Sequence, residues 1–169
     1  MRSTHPKSLK TTPGTLNDEN TVSERKSKHR GASKRWRFLN HTADLRIEIL
    51  GATLADLFVN AANALAHLLI GDPQISHQHE RHVSLTADTV EDLMVEWLRE
   101  LLFEYQVHGK VPAHVEILEI QDTFVNAMIR FGIPKVPKLP DFEIKGVTYH
   151  GLEICQTGKR CSAQVIFDI

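Results

Sequence analysis

The 169-residue chain lacks the short signatures that mark most enzyme classes. It has no Gly-x-Ser-x-Gly nucleophile elbow, no Gly-x-x-x-x-Gly-Lys-Ser/Thr phosphate loop, no dinucleotide-type glycine fingerprint and no His-Glu-x-x-His zinc helix. Its two cysteines, Cys155 and Cys161, are too few to staple a chain of this length. They also show no Cys-x-x-Cys or Cys/His ligand spacing, which leaves two reduced structural thiols as the expectation and argues for a reducing, cytoplasmic setting. No apolar run reaches membrane-helix length, and the first residues carry no hydrophobic core of a signal peptide. The basic, Ser- and Thr-rich N-terminal stretch has almost no large apolar residues from which a transit peptide would build its amphipathic face.

What is present suits a single globular core: 41% of the residues are hydrophobic and 24% charged. The formal net charge of -1 hides an uneven distribution. Up to Arg35 the chain carries nine lysines and arginines against only Asp18, Glu19 and Glu24, so the remainder is net acidic. An acidic body argues against a folded nucleic-acid-binding surface, because phosphate contacts need clustered Lys and Arg. The arm at positions 1–34 buries too little to order itself and is expected to be a disordered extension with at most weak RNA contact, ahead of a domain at 35–169.

Within that domain the apolar periodicity changes several times. Trp36 to Leu39 and Leu45 to Leu50 read as short strands, which places His41 to Asp44 in their connection. Thr53 caps a helix with Leu57, Phe58, Ala61, Leu65 and Leu68 on its inner face, stopped by Gly71 and Pro73. Arg81 to Thr86 is a strand, and Thr89 caps a second helix that buries Leu93, Trp97, Leu98 and Leu101 and ends near Gly109. Val115 to Ile120, Phe124 to Phe131, Phe142 to Tyr149 and Cys161 to Phe167 alternate as strands, with Gly132 to Pro140 irregular because of its three prolines. A turn at Thr157-Gly158-Lys159 joins the last two strands and sets Cys155 opposite Cys161. The expected fold is α+β: a mostly antiparallel β-sheet packed by two amphipathic helices.

Among ten histidines, His77, His79 and His82 crowd what reads as a polar loop and are expected to be solvated rather than zinc ligands, while His67 falls beside the buried stripe of the first helix. Asp44 and Asp168 offer carboxylates, and Ile169 offers its main-chain carboxylate if the chain ends there. Such hard oxygen donors suit Mg²⁺, Ca²⁺ or Mn²⁺. Two carboxylates at about 4 Å repel by roughly 4 kcal/mol at an effective dielectric of about 20, so a convergent cluster needs a cation or a proton. On residue types alone, Asp44 as a turn residue and Asp168 as a solvated charge are the simpler reading.

Five segments occurring in order change that balance: HTADLRIEI after an aromatic strand, LFVNAANAL, VEDLMVEWLRELLFEY, EIKGVTYHGLEI and the closing AQVIFDI. Together, from Trp36 to Ile169, they resemble the archease family. The resemblance implies a small α+β protein that is not itself an enzyme but activates an RtcB-type RNA ligase, promoting guanylylation of the ligase histidine and multiple turnover in tRNA splicing or RNA repair. It implies a divalent cation (Ca, Mg or Mn) held by Asp44, Asp168 and Ile169, with Lys145 facing the partner or a phosphate, and GTP used by the partner ligase rather than bound alone. His41 and His150 match further motif positions, where hydrogen bonding to the turn and to the sheet edge is the alternative role. Many members of that family carry a Gly-Glu-x-x-Asp stretch and a following His where this chain reads Phe131-Gly132-Ile133-Pro134-Lys135-Val136-Pro137-Lys138-Leu139, so acidic contacts from that stretch are missing here. A metal-dependent phosphoester hydrolase and a metal-independent chaperone or scaffold are the competing functional readings.

Overall fold

The computed structural model describes residues 35–39, 44–71, 74–135, 143–158 and 160–169. His41, the start of the expected strand at Phe142 and the extension at 1–34 lie outside the described residues. Among the described residues, seven strands and two helices follow the order β1 (Trp36–Leu39), β2 (Leu45–Gly51), α1 (Leu54–Ile70), β3 (Ile75–Thr86), α2 (Val90–His108), β4 (Val111–Gln121), β5 (Phe124–Pro134), β6 (Gly146–Thr157) and β7 (Arg160–Asp168). All described strand pairs are antiparallel, but they divide between two sheets, β1-β2-β7-β6 and β3-β5-β4.

Both helices begin as the cap residues dictate. Thr53 Oγ1 accepts the Asp56 N–H at 3.1 Å, and Thr89 Oγ1 accepts the Asp92 N–H at 3.1 Å, so each cap satisfies a first-turn donor that has no intrahelical partner. The helices end at Gly71 and Gly109. Their apolar faces form the core together with the inner faces of both sheets: α1 packs on β2, β4 and β7, and α2 on β3, β4, β5 and β6. The Phe58 and Trp97 rings meet at 5.9 Å between the helices, and Trp97 Nε1 donates to the Phe58 carbonyl at 3.1 Å, which satisfies the indole inside the core. Gly51 ends β2 where the chain turns into α1; a Cβ there would stand 2.5 Å from the Leu57 backbone nitrogen, so only glycine fits this approach.

Four expectations change against the structure. His77, His79 and His82 belong to β3 rather than to a loop, because β3 starts at Ile75 and pairs with β5 back to Ile75↔Pro134. For the same reason Gly132 to Pro134 continue β5 instead of opening an irregular segment. Pro134 takes the last rung of the pairing, where its missing donor costs little. Strand β6 runs to Thr157, well past the expected end at Tyr149, with a register shift between Thr148 and Glu153 that breaks its apolar alternation. Finally, Thr157 pairs with Arg160, leaving two residues between them, so Cys155 pairs with Ser162 and Cys161 with Gln156. One step of register turns a side chain to the other face, and Cys155 is exposed while Cys161 is buried.

Candidate functional site

The ends of three strands build the site. Leu45 pairs with Phe167 and Phe167 with Val147, all three turned toward the core side of the four-stranded sheet. One residue further along, Asp168 pairs with Gly146, and Asp44 stands next to that pair on the β2 side. Residues opposite one another across antiparallel strands share a face, so Asp44 and Asp168 both lie on the face away from the core. Both line one open cleft of about 510 Å³, together with Thr148, Tyr149, His150, Ile166 and Arg99.

Bulging of β6 shapes the cleft wall. Between the pairs Thr148↔Ile166 and Glu153↔Gln164, residues 149–152 of β6 stand against Val165 alone. The excess chain folds over Ile166, which is only 3% exposed although it points away from the main core. Gly151 makes this possible: its φ of 68° is a left-handed conformation, and a Cβ there would lie 3.4 Å from Ile166 Cδ1. The bulge thereby carries Tyr149 and His150 to the cleft, where the His150 N–H donates to Thr148 Oγ1 at 3.1 Å.

Helix α2 closes the other side. Arg99 Nη1 donates to the Tyr149 hydroxyl at 2.9 Å and lies 3.1 Å from Glu96 Oε1, while Nη2 donates to the Val147 carbonyl at 3.4 Å. The guanidinium sits over the Tyr149 ring, 4.5 Å from its centroid. Tyr149 in turn donates its hydroxyl to Glu96 Oε1 at 2.7 Å. That bond to a carboxylate, with burial and nearby acidic charge adding to it, pushes the phenol above its usual range against the opposing pull of Arg99.

Lys145 does not line the cleft; its N–H donates to the Asp168 carbonyl at 2.7 Å just ahead of β6, and the residue is exposed. Gln106 of α2 donates to the Ile144 carbonyl at 3.2 Å, fixing this segment from the helix side. The sequence-predicted residues Asp44, Asp168 and His150 therefore share one cleft, whereas Lys145 and Ile169, the chain neighbours of Gly146 and Asp168, are not among the residues that line it. Arg99 and Glu96 were missed by sequence reading. Their i,i+3 spacing on a polar helix face marks an ordinary solvated pair, and only packing of α2 along β6 brings them to the site.

The donor set in the cleft fits a hard divalent cation: Asp44, just ahead of β2, and Asp168, at the end of adjacent β7, both bring carboxylates to it, without a thiolate. Among the described residues, no group of three or more His, Cys, Asp and Glu side chains is arranged to hold an ion, so a third protein donor has to come from another group, such as a main-chain oxygen. The described helices also include none long and apolar enough to cross a membrane.

Comparison with known proteins places this architecture. Residues 36–169 match the Archease protein family. A protein archease of Methanosarcina mazei is 36% identical over 141 residues, which cover 80% of this chain and 97% of the relative. One from Pyrobaculum neutrophilum is 30% identical over 139 residues, covering 79% and 95%. The solution structure of Methanobacterium thermoautotrophicum protein 1598 superposes with a TM-score of 0.63 at 26% identity, covering 81% of this chain and all of that one. The crystal structure of a Thermotoga maritima archease, described as a possible chaperone, shares the fold with a TM-score of 0.59 at 22% identity, covering 83% and 100%. With the family match spanning every element from β1 to β7, the chain belongs to the archease family.

Proposed function

We propose that this protein is a metal-binding activator of an RtcB-type RNA ligase, promoting guanylylation of the ligase histidine and multiple turnover in tRNA splicing or RNA repair in the cytoplasm, without being an enzyme itself. The observation that carries the reading is the meeting of Asp44 and Asp168, 124 positions apart in the sequence, on one face of adjacent strands in a single cleft. Two carboxylates that line one cleft repel each other, and a cation between them relieves that repulsion. In this reading Asp44, Asp168 and the Ile169 main-chain carboxylate hold Ca²⁺, Mg²⁺ or Mn²⁺, and the ion supplies positive charge where the partner's nucleotide phosphates approach. In the same reading Lys145, whose N–H bonds the Asp168 carbonyl, faces the partner or a phosphate. GTP is consumed by the ligase, and RNA meets this protein only indirectly.

Guanylylation of the ligase with GTP and a divalent metal tests the proposal. The protein alone joins no RNA, the wild type accelerates the ligase over several turnovers, and Asp44→Ala abolishes the acceleration. A variant extended beyond Ile169 keeps every side chain while displacing the terminal charge, and it loses most of the effect. Wild-type stimulation by Asp44→Ala rejects the reading. One observation favours a second: His150 lines the same cleft as both aspartates, the arrangement a metal-dependent phosphoester hydrolase needs for a general base. Phosphatase or nuclease activity that disappears in His150→Ala would establish that alternative.

A further inference from the structure

A separate cavity of about 420 Å³ opens at the β1 edge of the four-stranded sheet, between the start of that strand and the last turn of α1. Its walls include Arg35, Trp36, Asn63, His67, Ile70 and Ile75, and among the described residues no acidic side chain lines it. Trp36 pairs with the fully buried Ile49, yet the edge position leaves it only half-buried. The His67 ring meets it at 5.8 Å with a 50° tilt, so among the described residues no ring covers the indole face to face. The Trp36 N–H makes no hydrogen bond among those residues, whereas the buried Trp97 N–H donates to the Phe58 carbonyl. Two asparagines three positions apart on α1 differ in the same way. Asn60 is buried, its amide donating to the Leu50 carbonyl at 2.7 Å and accepting from Arg35 Nη1 at 3.4 Å. Half-buried Asn63 lines the cavity with a side-chain amide that no described residue bonds, so it stays open to a ligand.

Phe38 does not line the cavity, but it lies two residues along the same face of β1, about 7 Å from Trp36 at the rise of a strand, and is 54% exposed. Aromatics at alternate positions of one strand can each take a base of an extended single strand. The sequence running into β1 is cationic: Arg25, Lys26, Lys28, Arg30, Lys34 and Arg35 follow one another with no acidic residue between them. We propose that Trp36 and Phe38, with Asn63 and Arg35, form a site for the unpaired bases of a single-stranded nucleic acid. The site goes beyond the ligase reading and does not depend on it, since there RNA reaches the carboxylate cleft only through the ligase. Charge divides the work. The carbonyl end of α1 attracts donors rather than anions, so a base with its N–H groups enters the cavity, where the Asn63 amide meets its edge. Phosphates stay outside, with Arg35 and the basic stretch before it. Bases stacked in a duplex offer no face to Trp36, which selects single strands.

Fluorescence anisotropy of a labelled single-stranded RNA with the full-length chain at low salt tests the site, alongside a duplex of the same sequence. Trp36→Leu keeps an apolar side chain against the core but removes the stacking surface, and Phe38→Ser removes an exposed ring. Each is expected to bind about tenfold or more weakly with little change in melting temperature. Phe103→Ser, at a ring 50% exposed on α2, binds like wild type. Tryptophan emission is quenched by the RNA in wild type and unaffected in Trp36→Leu, where only buried Trp97 remains. Absence of binding in wild type, undiminished affinity in Trp36→Leu, a loss shared by Phe103→Ser or equal binding of the duplex overturns the proposal. Binding that disappears on combining Lys26→Gln, Lys28→Gln and Arg30→Gln but survives Trp36→Leu assigns the contact to the basic stretch alone and rejects the site. A wild-type dimer that ignores RNA and dissociates in Trp36→Leu gives the cavity to a second copy and rejects it as well.

Discussion

Helix α2 carries two ionic clusters, and they are built for different ends. On the side facing the three-stranded sheet, Glu100 and Glu104 grip Arg81, whose β3 position pairs with the fully buried Ile129. Glu104 is itself buried, so Arg81 is the charge that makes an acidic residue tolerable against the core. On the side facing the four-stranded sheet, exposed Arg99 and half-buried Glu96 hold Tyr149 at the mouth of the cleft. The enclosed cluster has large consequences for folding, and the open one has small consequences for folding and large ones for contact with other molecules.

Breaking the enclosed cluster separates the two most strongly. Arg81→Leu strands buried Glu104 without its cation and, with Arg81 itself partly screened by solvent, is expected to cost about 2 kcal/mol in a urea unfolding experiment. A loss below about 1 kcal/mol would mean that the pair is effectively solvated. Next in size is Gly151→Val, which forces a β-branched residue into a positive φ and against Ile166; the expected loss is about 1–3 kcal/mol, accompanied by weaker ligase stimulation because the wall of the cleft moves.

These two sites also mark the boundary of what the sequence tells. The helices were readable because each needed only local information: a threonine at the cap, apolar residues at a 3.6 period and a glycine at the end. Strands β1, β2 and β7 were readable from alternation, and the candidate aspartates from the ordered family segments. Division into two sheets was not, since alternation gives a strand its faces but not its neighbours. The bulge in β6 escaped because it destroys the very alternation by which strands are found, and the polar start of β3 escaped because pairing with β5, not apolar pattern, holds it. The one-residue error at the Thr157 turn was enough to misplace Cys155 relative to Cys161.

The open cluster sharpens the comparison from its weak side. Arg99→Leu removes an exposed pair and is expected to change stability by no more than about 1 kcal/mol, yet to weaken ligase binding several-fold by releasing Tyr149 from the cleft wall. Equal stability losses for Arg81→Leu and Arg99→Leu would erase the distinction. The smallest effect concerns pH. The Tyr149 phenol is raised above its ordinary value of 10.0, so the folded state favours its protonated form. Its contribution is complete below the unfolded pKa and lost as pH rises through the folded one. Ultraviolet titration is therefore expected to show one tyrosine ionising above pH 10 in wild type and returning toward 10 in Glu96→Gln.

Direct titration of the wild-type protein with Mn²⁺ or Ca²⁺ by calorimetry, in the absence of any ligase, tests the meeting of Asp44 and Asp168 around one ion. A single site is expected, with its affinity lost by about tenfold or more in Asp44→Asn and in Asp168→Asn alike and the double variant no worse than either. Undiminished binding in both single variants, or losses that add as if from two separate sites, would contradict it.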